Sequence, residues 1–131
     1  MNQASSNGDL HADLTERILG ASYAVHTALG PGLLESAYEA CLAHELTCRG
    51  IPFQRQVELP IRYKEQQVDA GYRIDLLIEE LVVVELKAID RLLPIHEAQL
   101  LTYLKLSQMR VGLLLNFNVL HLRDGINRRV L

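Results

Sequence analysis

One stretch near the middle of the chain, Gly71–Ala88, constrains both the fold and the chemistry of this sequence. Its residues, GYRIDLLIEELVVVELKA, are typical of two short, mostly apolar strands joined by an acidic turn. Three charged residues, Asp75, Glu85 and Lys87, interrupt the apolar pattern of the strands. Charged side chains on a buried sheet face are costly unless they pair with each other or bind an ion. The stretch therefore favours a site with a chemical function.

The loop between the two strands decides whether the carboxylates meet. We place the strands at Gln67–Ile78 and Leu81–Ala88. In an antiparallel pair, directly opposed residues lie on the same face of the sheet. A loop with an odd number of residues, centred on Glu80, opposes Asp75 to Glu85, whereas a two-residue loop sends Glu85 to the other face. We therefore predict an odd loop or a compensating bulge.

The remaining predicted elements give a mixed α/β order. Apolar residues at helical spacing predict three helices, and alternating or continuously apolar runs predict further strands. A helix separates strand Leu81–Ala88 from the next strand, so these two strands are expected to be parallel. The fold class is α/β, with a mixed central sheet flanked by helices in the order α-α-β-β-β-α-β-(β). The predicted helices are Leu14–Leu29, Leu33–Arg49 and Pro94–Leu106, and the further strands are Phe53–Tyr63, Val111–Asn116 and the short Leu120–Arg123.

Length and composition limit the architecture and the partners. At 131 residues the chain fits one domain, which we place at residues 13–131 after a tail, residues 1–12, that is expected to be disordered. The sequence has no apolar run that would span a membrane and no signal-peptide pattern, so we expect a cytoplasmic protein without a membrane partner. The formal net charge of −3 does not favour binding of duplex DNA by electrostatic attraction alone. A metal ion would offset part of this charge locally.

The charged residues of the central stretch suit metal-assisted chemistry on a phosphate. Two converging carboxylates, Asp75 and Glu85, are ligands that Mg²⁺ or Mn²⁺ prefers, and the backbone carbonyl of Leu86 adds another oxygen. Lys87 projects from the same face as Glu85, where it can orient an attacking water or stabilise charge on a phosphate. A structural alternative stays open, in which Glu85 pairs with Lys87 and Asp75 pairs with Arg73.

Three polar residues on the predicted helices are candidates for the same site. Glu35 lies near the start of the second helix and can complete an acidic cluster, although an exposed acid that favours the positive end of the helix dipole has the same spacing. Gln99 and Tyr103 lie one turn apart on the third helix and can reach one ligand, a phosphate or a base. A polar helix face toward water explains these two residues about equally well.

Several motifs of the chain resemble those of one nuclease superfamily. Asp75 followed by Glu85-Leu86-Lys87 resembles the PD-(D/E)XK signature, with Gly71-Tyr-Arg-Ile-Asp75 in place of the literal Pro-Asp. Gln99-Leu-Leu-Thr-Tyr103 is similar to a motif that follows the core in the RecB-like and lambda-exonuclease-like branches. Gly32-Leu-Leu-Glu35-Ser-Ala-Tyr38 matches the pattern that names the GxxExxY family of small bacterial proteins. The resemblance extends over nearly all of the chain, from about Leu14 to Val130.

The resemblance implies a restriction-endonuclease-like core and a role for each motif residue. Asp75 and Glu85 would be metal ligands for Mg²⁺ or Mn²⁺, and Lys87 would be the catalytic lysine. Glu35 would be an added acid borne on a helix, taking part in catalysis and in metal binding. The expected substrate-binding residues are Gln99, Tyr103, Arg73 and Tyr38.

The leading functional prediction is a Mg²⁺-dependent nuclease that hydrolyses DNA by in-line attack of a metal-activated water. A role in DNA repair or in defence against mobile elements is expected with it. So small a core has few loops with which to read a sequence, which suggests weak specificity or help from an accessory protein or a homodimer. Two alternatives use the same fold: a catalytically silent module that binds nucleic acid or protein, and a hydrolase of a small phosphodiester.

Overall fold

The computed structural model describes residues 10–131, so most of the predicted tail lies outside the described residues. All three predicted helices are present within two residues of their expected bounds. No helix in the described part of the chain is long and apolar enough to cross a membrane. The helices are α1 (Ala12–Leu29), α2 (Glu35–Cys48) and α3 (Pro94–Ser107); the strands are β1 (Phe53–Glu58), β2 (Ile61–Tyr63), β3 (Gln66–Val68), β4 (Arg73–Ile78), β5 (Val82–Lys87), β6 (Val111–Asn116) and β7 (Ile126–Val130).

Five of the strands form one mixed sheet in the order β1-β4-β5-β6-β7. Strands β5 and β6 are parallel and are connected through α3, while the other neighbouring pairs are antiparallel. The α/β class and the parallel crossover are therefore confirmed. Strand β5 is buried along almost its whole length, as a central strand covered on both faces should be.

Two apolar clusters cover the two faces of this sheet. The first packs α1 and α2, through residues such as Ile18 and Leu42, against Val84 and its neighbours of the same parity. The second packs α3, through Leu100 and Leu104, against Val83 on the opposite face. Full burial of each such side chain contributes about 1.5–3 kcal/mol. Helices α2 and α3 are thus held on opposite faces of the same central strands. Glu85 and Lys87 have the same parity as Val83, so they lie on the face that packs against α3.

The β4–β5 hairpin has the odd loop that the sequence predicts. Leu76 pairs with Val84 and Ile78 with Val82, which leaves three residues in the loop. Glu79 and Glu80 both adopt left-handed backbone conformations, with φ of 51° and 56°, and the amide of Leu81 donates to the carbonyl of Ile78 at 2.9 Å. Extending this register places Asp75 opposite Glu85. The predicted convergence of the two residues on one face is confirmed.

Two predicted long strands are each broken, and this prediction was wrong. Phe53–Tyr63 divides into β1 and β2 at Leu59–Pro60, where proline has no amide to donate. The run Gln67–Ile78 divides into β3 and β4, because the Asp69 carboxylate accepts from the Gly71 amide at 3.1 Å and Gly71 turns the chain with φ of 79°. Strands β2 and β3 then pair with each other as a separate two-stranded sheet.

The end of the chain also differs from expectation. Leu120–Arg123 is not a strand; a 3₁₀ turn spans Leu122–Gly125 and the last strand is β7, which pairs with β6. Gly125 makes this turn possible, because a Cβ there would lie 2.2 Å from the carbonyl oxygen of Asn116. Strand β7 contains the charged residues Arg128 and Arg129, so its sequence lacks the apolar alternation that predicts a strand. The final strand therefore lies further along the chain than predicted.

Candidate active site

The two strands of the β4–β5 hairpin separate at the end away from the turn, which we call the open end. There, side-chain carboxylates rather than backbone carbonyls accept hydrogen bonds from the backbone amides. The amide of Asp75 donates to Oε2 of Glu85 at 2.9 Å, and the amide of Leu86 donates to Oδ2 of Asp75 at 2.9 Å. The two carboxylates thus stand where backbone carbonyls would continue the ladder. These charge-assisted bonds hold both carboxylates at one point of the sheet.

Burial and neighbouring negative charge make these two carboxylates electrostatically unusual. Glu85 is only 5% exposed. Its burial, and then the charge of Asp75, raise the pKa of Glu85 to about 8. Burial is also the main cause of a raised pKa at Asp75, although the hydrogen bond from Leu86 opposes it. The ionised form of Glu85 is therefore unfavourable at this site, and a bound cation would favour it.

Lys87 stands at the end of β5, close to this pair. Its positive charge opposes the rise in pKa at Asp75, Glu85 and Glu35 alike, so it lies within electrostatic reach of all three. Within residues 10–131 Lys87 forms no ion pair, and Arg73 pairs with Glu58 at 3.6 Å rather than with Asp75. The alternative of two structural ion pairs therefore does not describe this site.

The neighbouring strand fixes the backbone at Lys87. The amide of Phe117 donates to the carbonyl of Lys87 at 2.9 Å. The Asn116 side chain, 1% exposed, accepts from the Ile89 amide at 3.1 Å and donates to the Ile89 carbonyl at 2.9 Å. Asn116 thereby anchors the chain just beyond Lys87, a role that its position at the end of an apolar run does not reveal in the sequence.

Helix α2 adds two acids, and only one of them, Glu35, is among the residues predicted from the sequence. Glu35 is the first residue of the helix; its pKa is raised by partial burial, then by the charge of Asp75. Glu39, one turn further, is 6% exposed and was missed. It accepts from Gln56 Nε2 at 2.9 Å and pairs with Arg55 Nη2 at 3.2 Å. Two signals in the sequence could have identified Glu39. It lies one helical turn from Glu35, and its partner Arg55 is the one polar residue among the apolar positions of the predicted strand Phe53–Tyr63.

Gln56 links Glu39 to the central carboxylates. It lies on β1 in the position opposite Asp75, between the pairs formed by Arg55 and Val57. Its Nε2 donates to Glu39 Oε1 at 2.9 Å and to Asp75 Oδ1 at 3.3 Å, and its backbone is left-handed with φ of 51°. A left-handed non-glycine residue within a strand is uncommon and typical of functional sites. No local sequence signal marks this residue.

Helix α3 places Gln99 and Tyr103 beside Lys87. Together with Lys87 and Tyr72 they line a cavity of about 490 Å³. Gln99 Nε2 donates to the Tyr103 hydroxyl at 3.2 Å. The pKa of Tyr103 is raised, first by burial and then by the charge of Glu85. Both residues therefore face the site rather than water alone.

Tyr38 does not belong to the site, and its predicted role in substrate binding is corrected. It is fully buried and stacks on Phe117 with ring centroids 4.8 Å apart. Its hydroxyl donates to the Gly30 carbonyl at 2.6 Å and accepts from the Leu33 amide at 3.1 Å. Tyr38 instead ties the α1–α2 loop to the core. Arg73 is exposed and pairs with Glu58 at the start of β4.

The donor set fits a small, oxygen-preferring divalent cation. Among residues 10–131 no three His, Cys, Asp or Glu side chains form a ready-made metal cage. Mg²⁺ does not need one, because it commonly keeps several waters and binds one or two carboxylates. The carbonyl of Leu86 faces the same side as its amide, which is bonded to Asp75, since both groups of a strand residue lie on one edge. Asp75, Glu85 and this carbonyl suit such a cation.

A sequence profile of the PD-(D/E)XK nuclease superfamily matches residues 12–129, which is nearly the whole chain. Neither the curated proteins nor the solved structures include a significant match. The profile and the mixed sheet agree with the restriction-endonuclease-like fold, and the superfamily points to phosphodiester cleavage as the class of activity. The chain belongs to the PD-(D/E)XK nuclease superfamily.

Proposed function

We propose that the protein is a metal-dependent nuclease that hydrolyses phosphodiester bonds of DNA at the open end of the β4–β5 hairpin. The observation that carries this proposal is a pair of hydrogen bonds, from the Asp75 amide to the Glu85 carboxylate and from the Leu86 amide to the Asp75 carboxylate, which hold a half-buried and a buried carboxylate together beside Lys87. A purely structural hairpin would continue its backbone ladder there and would leave no charge to neutralise.

The residues that would hold Mg²⁺ or Mn²⁺ are Asp75, Glu85 and the carbonyl of Leu86, with Glu35 as an additional acid. When bound, such an ion supplies Lewis acidity and lowers the pKa of a coordinated water. The raised pKa of Glu85 supports this assignment, because the group is unfavourable as a lone anion and becomes favourable beside a cation.

Lys87 would orient the attacking water and stabilise the charge that develops on the phosphate. It lies close to all three acids and is free of ion pairs within the described residues, so its ammonium group remains available to substrate. General base and electrostatic assistance of this kind each contribute about 100-fold or more to a rate. Gln99 and Tyr103 would hold the substrate next to Lys87, and Arg73 would contact a more distant phosphate.

We also place the chain, within the superfamily, in the GxxExxY family of small bacterial proteins. The support is the motif Gly32–Tyr38, in which Tyr38 secures the loop that leads into α2 and Glu35 begins that helix. A role in DNA repair or mobile-element defence, weak sequence specificity, and a homodimer or accessory protein complete this proposal.

A small phosphodiester is the second candidate substrate. The observation that favours it is the cavity beside Lys87, because about 490 Å³ lies within the usual range for small-molecule sites. Asp75 and Glu85 would hold the metal in the same way for both candidate substrates. The candidates differ in whether the substrate extends beyond the cavity.

The test is cleavage of linear, circular and single-stranded DNA, RNA and a cyclic dinucleotide, each with Mg²⁺, Mn²⁺ or EDTA. Wild type is compared with Glu85→Gln and with Glu45→Gln, which removes a carboxylate from an exposed ion pair on α2. We expect DNA cleavage that requires the metal, survives Glu45→Gln and is lost in Glu85→Gln. Cleavage that persists in EDTA or in Glu85→Gln would reject the proposal, and cleavage of the dinucleotide alone would select the second candidate.

A further inference from the structure

The cavity beside Lys87 is walled by aromatic and apolar side chains as well as by the predicted polar ones. Tyr72, just before β4, is 44% exposed and meets Tyr103 edge to face, with ring centroids 6.1 Å apart. Ile95, at the start of α3, is 66% exposed although it is apolar. The cavity thus offers a flat ring and an aliphatic surface to a ligand, in addition to the amide of Gln99.

We infer that this cavity is a subsite for one unpaired nucleobase next to the scissile phosphate, with the Tyr72 ring as its stacking platform. The inference rests on the proposed function, because it takes the phosphate to be at Lys87. Lys87 forms one wall of the cavity, so a nucleoside attached to a phosphate at that residue has its base within reach of the cavity. Every base has a π-face that stacks on an aromatic ring.

The polar groups of the cavity suit the edge of a base. Gln99 has a carboxamide with both a donor and an acceptor, and its Nε2 already orients the Tyr103 hydroxyl. His96 Nδ1 accepts from the Leu93 amide at 2.9 Å, so in the neutral ring the proton is on Nε2, which can donate. Proteins hold extruded bases by stacking them on aromatic or apolar side chains and by hydrogen bonds to the edge of the base.

The subsite defines the class of substrate. A base within a duplex is paired on its edge and stacked on both faces, so it reaches such a cavity only after it leaves the stack. The cavity therefore favours single-stranded DNA, frayed ends or gaps over an intact duplex. The net charge of −3 agrees with this, since the chain lacks the excess of basic residues that duplex binding by charge requires.

One experiment combines a change in the substrate with a change in the protein. Single-stranded oligonucleotides carry either a normal nucleotide or an abasic residue beside the scissile phosphate, and cleavage with Mn²⁺ is measured for wild type, Tyr72→Ala and Tyr72→Phe. Tyr63→Ala is the matched control, since Tyr63 is an exposed tyrosine on β2 outside the cavity. We expect the abasic residue to slow wild type, Tyr72→Phe and Tyr63→Ala by about 5- to 150-fold. Tyr72→Ala should be slow on the normal strand and lose little more on the abasic one.

A binding measurement keeps the inference separate from the proposed function. An oligonucleotide with 2-aminopurine at the same position is titrated with each protein in EDTA, where no cleavage is expected. Quenching of its fluorescence by wild type, Tyr72→Phe and Tyr63→Ala but not by Tyr72→Ala supports the subsite, even if no protein cleaves. Equal quenching by Tyr72→Ala, no quenching at all, or equal abasic effects in Tyr72→Ala and wild type would overturn the subsite and leave metal-dependent cleavage standing.

Discussion

The two ends of the β4–β5 hairpin are built from the same two strands and do opposite things. At the turn end, Ile78 pairs with Val82 through the backbone, and both side chains are fully buried in the core. At the open end, Asp75 and Glu85 replace the backbone ladder with carboxylates. The turn end stabilises the fold by burying apolar area, whereas the open end places like charges together at a cost in stability. Within one hairpin, the turn end therefore belongs to the hydrophobic core, and the open end carries the candidate active site.

Catalysis at the open end should change more than any other property. Lys87→Ala should lower the cleavage rate by about 100- to 10,000-fold, because it removes a positive charge that acts on Asp75, Glu85 and Glu35 alike. The free energy of unfolding should change little, since Lys87 forms no ion pair within residues 10–131. Lys105→Ala, at an exposed lysine on α3, is the control and should cleave like wild type. Equal rates for the two variants would remove Lys87 from the mechanism.

The matching change at the turn end should have the reverse effect. Ile78→Ala leaves a cavity at a fully buried position and should cost about 2–5 kcal/mol in the free energy of unfolding, measured by urea denaturation. The rate per folded molecule should stay near the wild-type value, because Ile78 lies at the end of the hairpin away from the carboxylates. A loss of activity in fully folded Ile78→Ala would show that the two ends are coupled.

The pH dependence of stability should also distinguish the ends. The pKa of Glu85 in the folded protein is about 8, above its ordinary value of 4.5, so the folded state binds a proton more tightly than the unfolded chain. The metal-free protein should therefore lose stability as pH rises from 4.5 to 8, by on the order of 4 kcal/mol from this group.

Glu85→Gln should remove most of that dependence, and Mg²⁺ should oppose it in wild type. A smaller slope in the same direction should remain, because the pKa values of Asp75 and Glu35 are also raised. The measurement is thermal or urea unfolding in EDTA across this range. Identical pH profiles for wild type and Glu85→Gln would contradict the electrostatic description of the open end.

The smallest predicted effect concerns Gln56, which supports Asp75 from β1. Gln56→Asn keeps a residue that tolerates the left-handed backbone but shortens the amide that reaches Glu39 and Asp75. Mn²⁺ affinity, measured by calorimetry, should fall by about 10- to 100-fold while the free energy of unfolding is maintained. Gln54→Asn on the same strand is the control. Loss of stability without loss of affinity would make Gln56 purely structural.

The sequence predicts the centre of the site better than its surroundings. Asp75, Glu85 and Lys87 are charges on apolar strands, and the parity of a strand fixes which face each occupies, so the loop length follows from requiring them to meet. Gln56 and Asn116 act through contacts distant in sequence, to Glu39 and to Ile89, and no local pattern encodes such contacts. Tertiary packing likewise depends on contacts between residues that are distant in sequence, so a local pattern does not predict it.

The same limit applies to the fold. Helices and the central strands follow from periodicity because their apolar faces are continuous. The break between β3 and β4 depends on one side-chain hydrogen bond at Asp69, and β7 is a strand because β6 offers it an edge. Tyr38 lies within a family motif, yet its hydroxyl bonds to the α1–α2 loop. A motif position identifies a residue that matters without showing whether it contacts substrate.

The position at which a divalent cation binds on the hairpin tests the proposed metal site most directly, because each end of the hairpin carries two acids. Substoichiometric Mn²⁺ is added to isotopically labelled protein, and the broadening of backbone amide resonances is mapped by NMR. We predict that broadening is centred on the amides of Asp75 and Leu86, is displaced by Mg²⁺ and is lost in Glu85→Gln. Broadening centred on the acidic turn at Glu79 and Glu80, or unaffected by Glu85→Gln, would contradict a metal site at the open end.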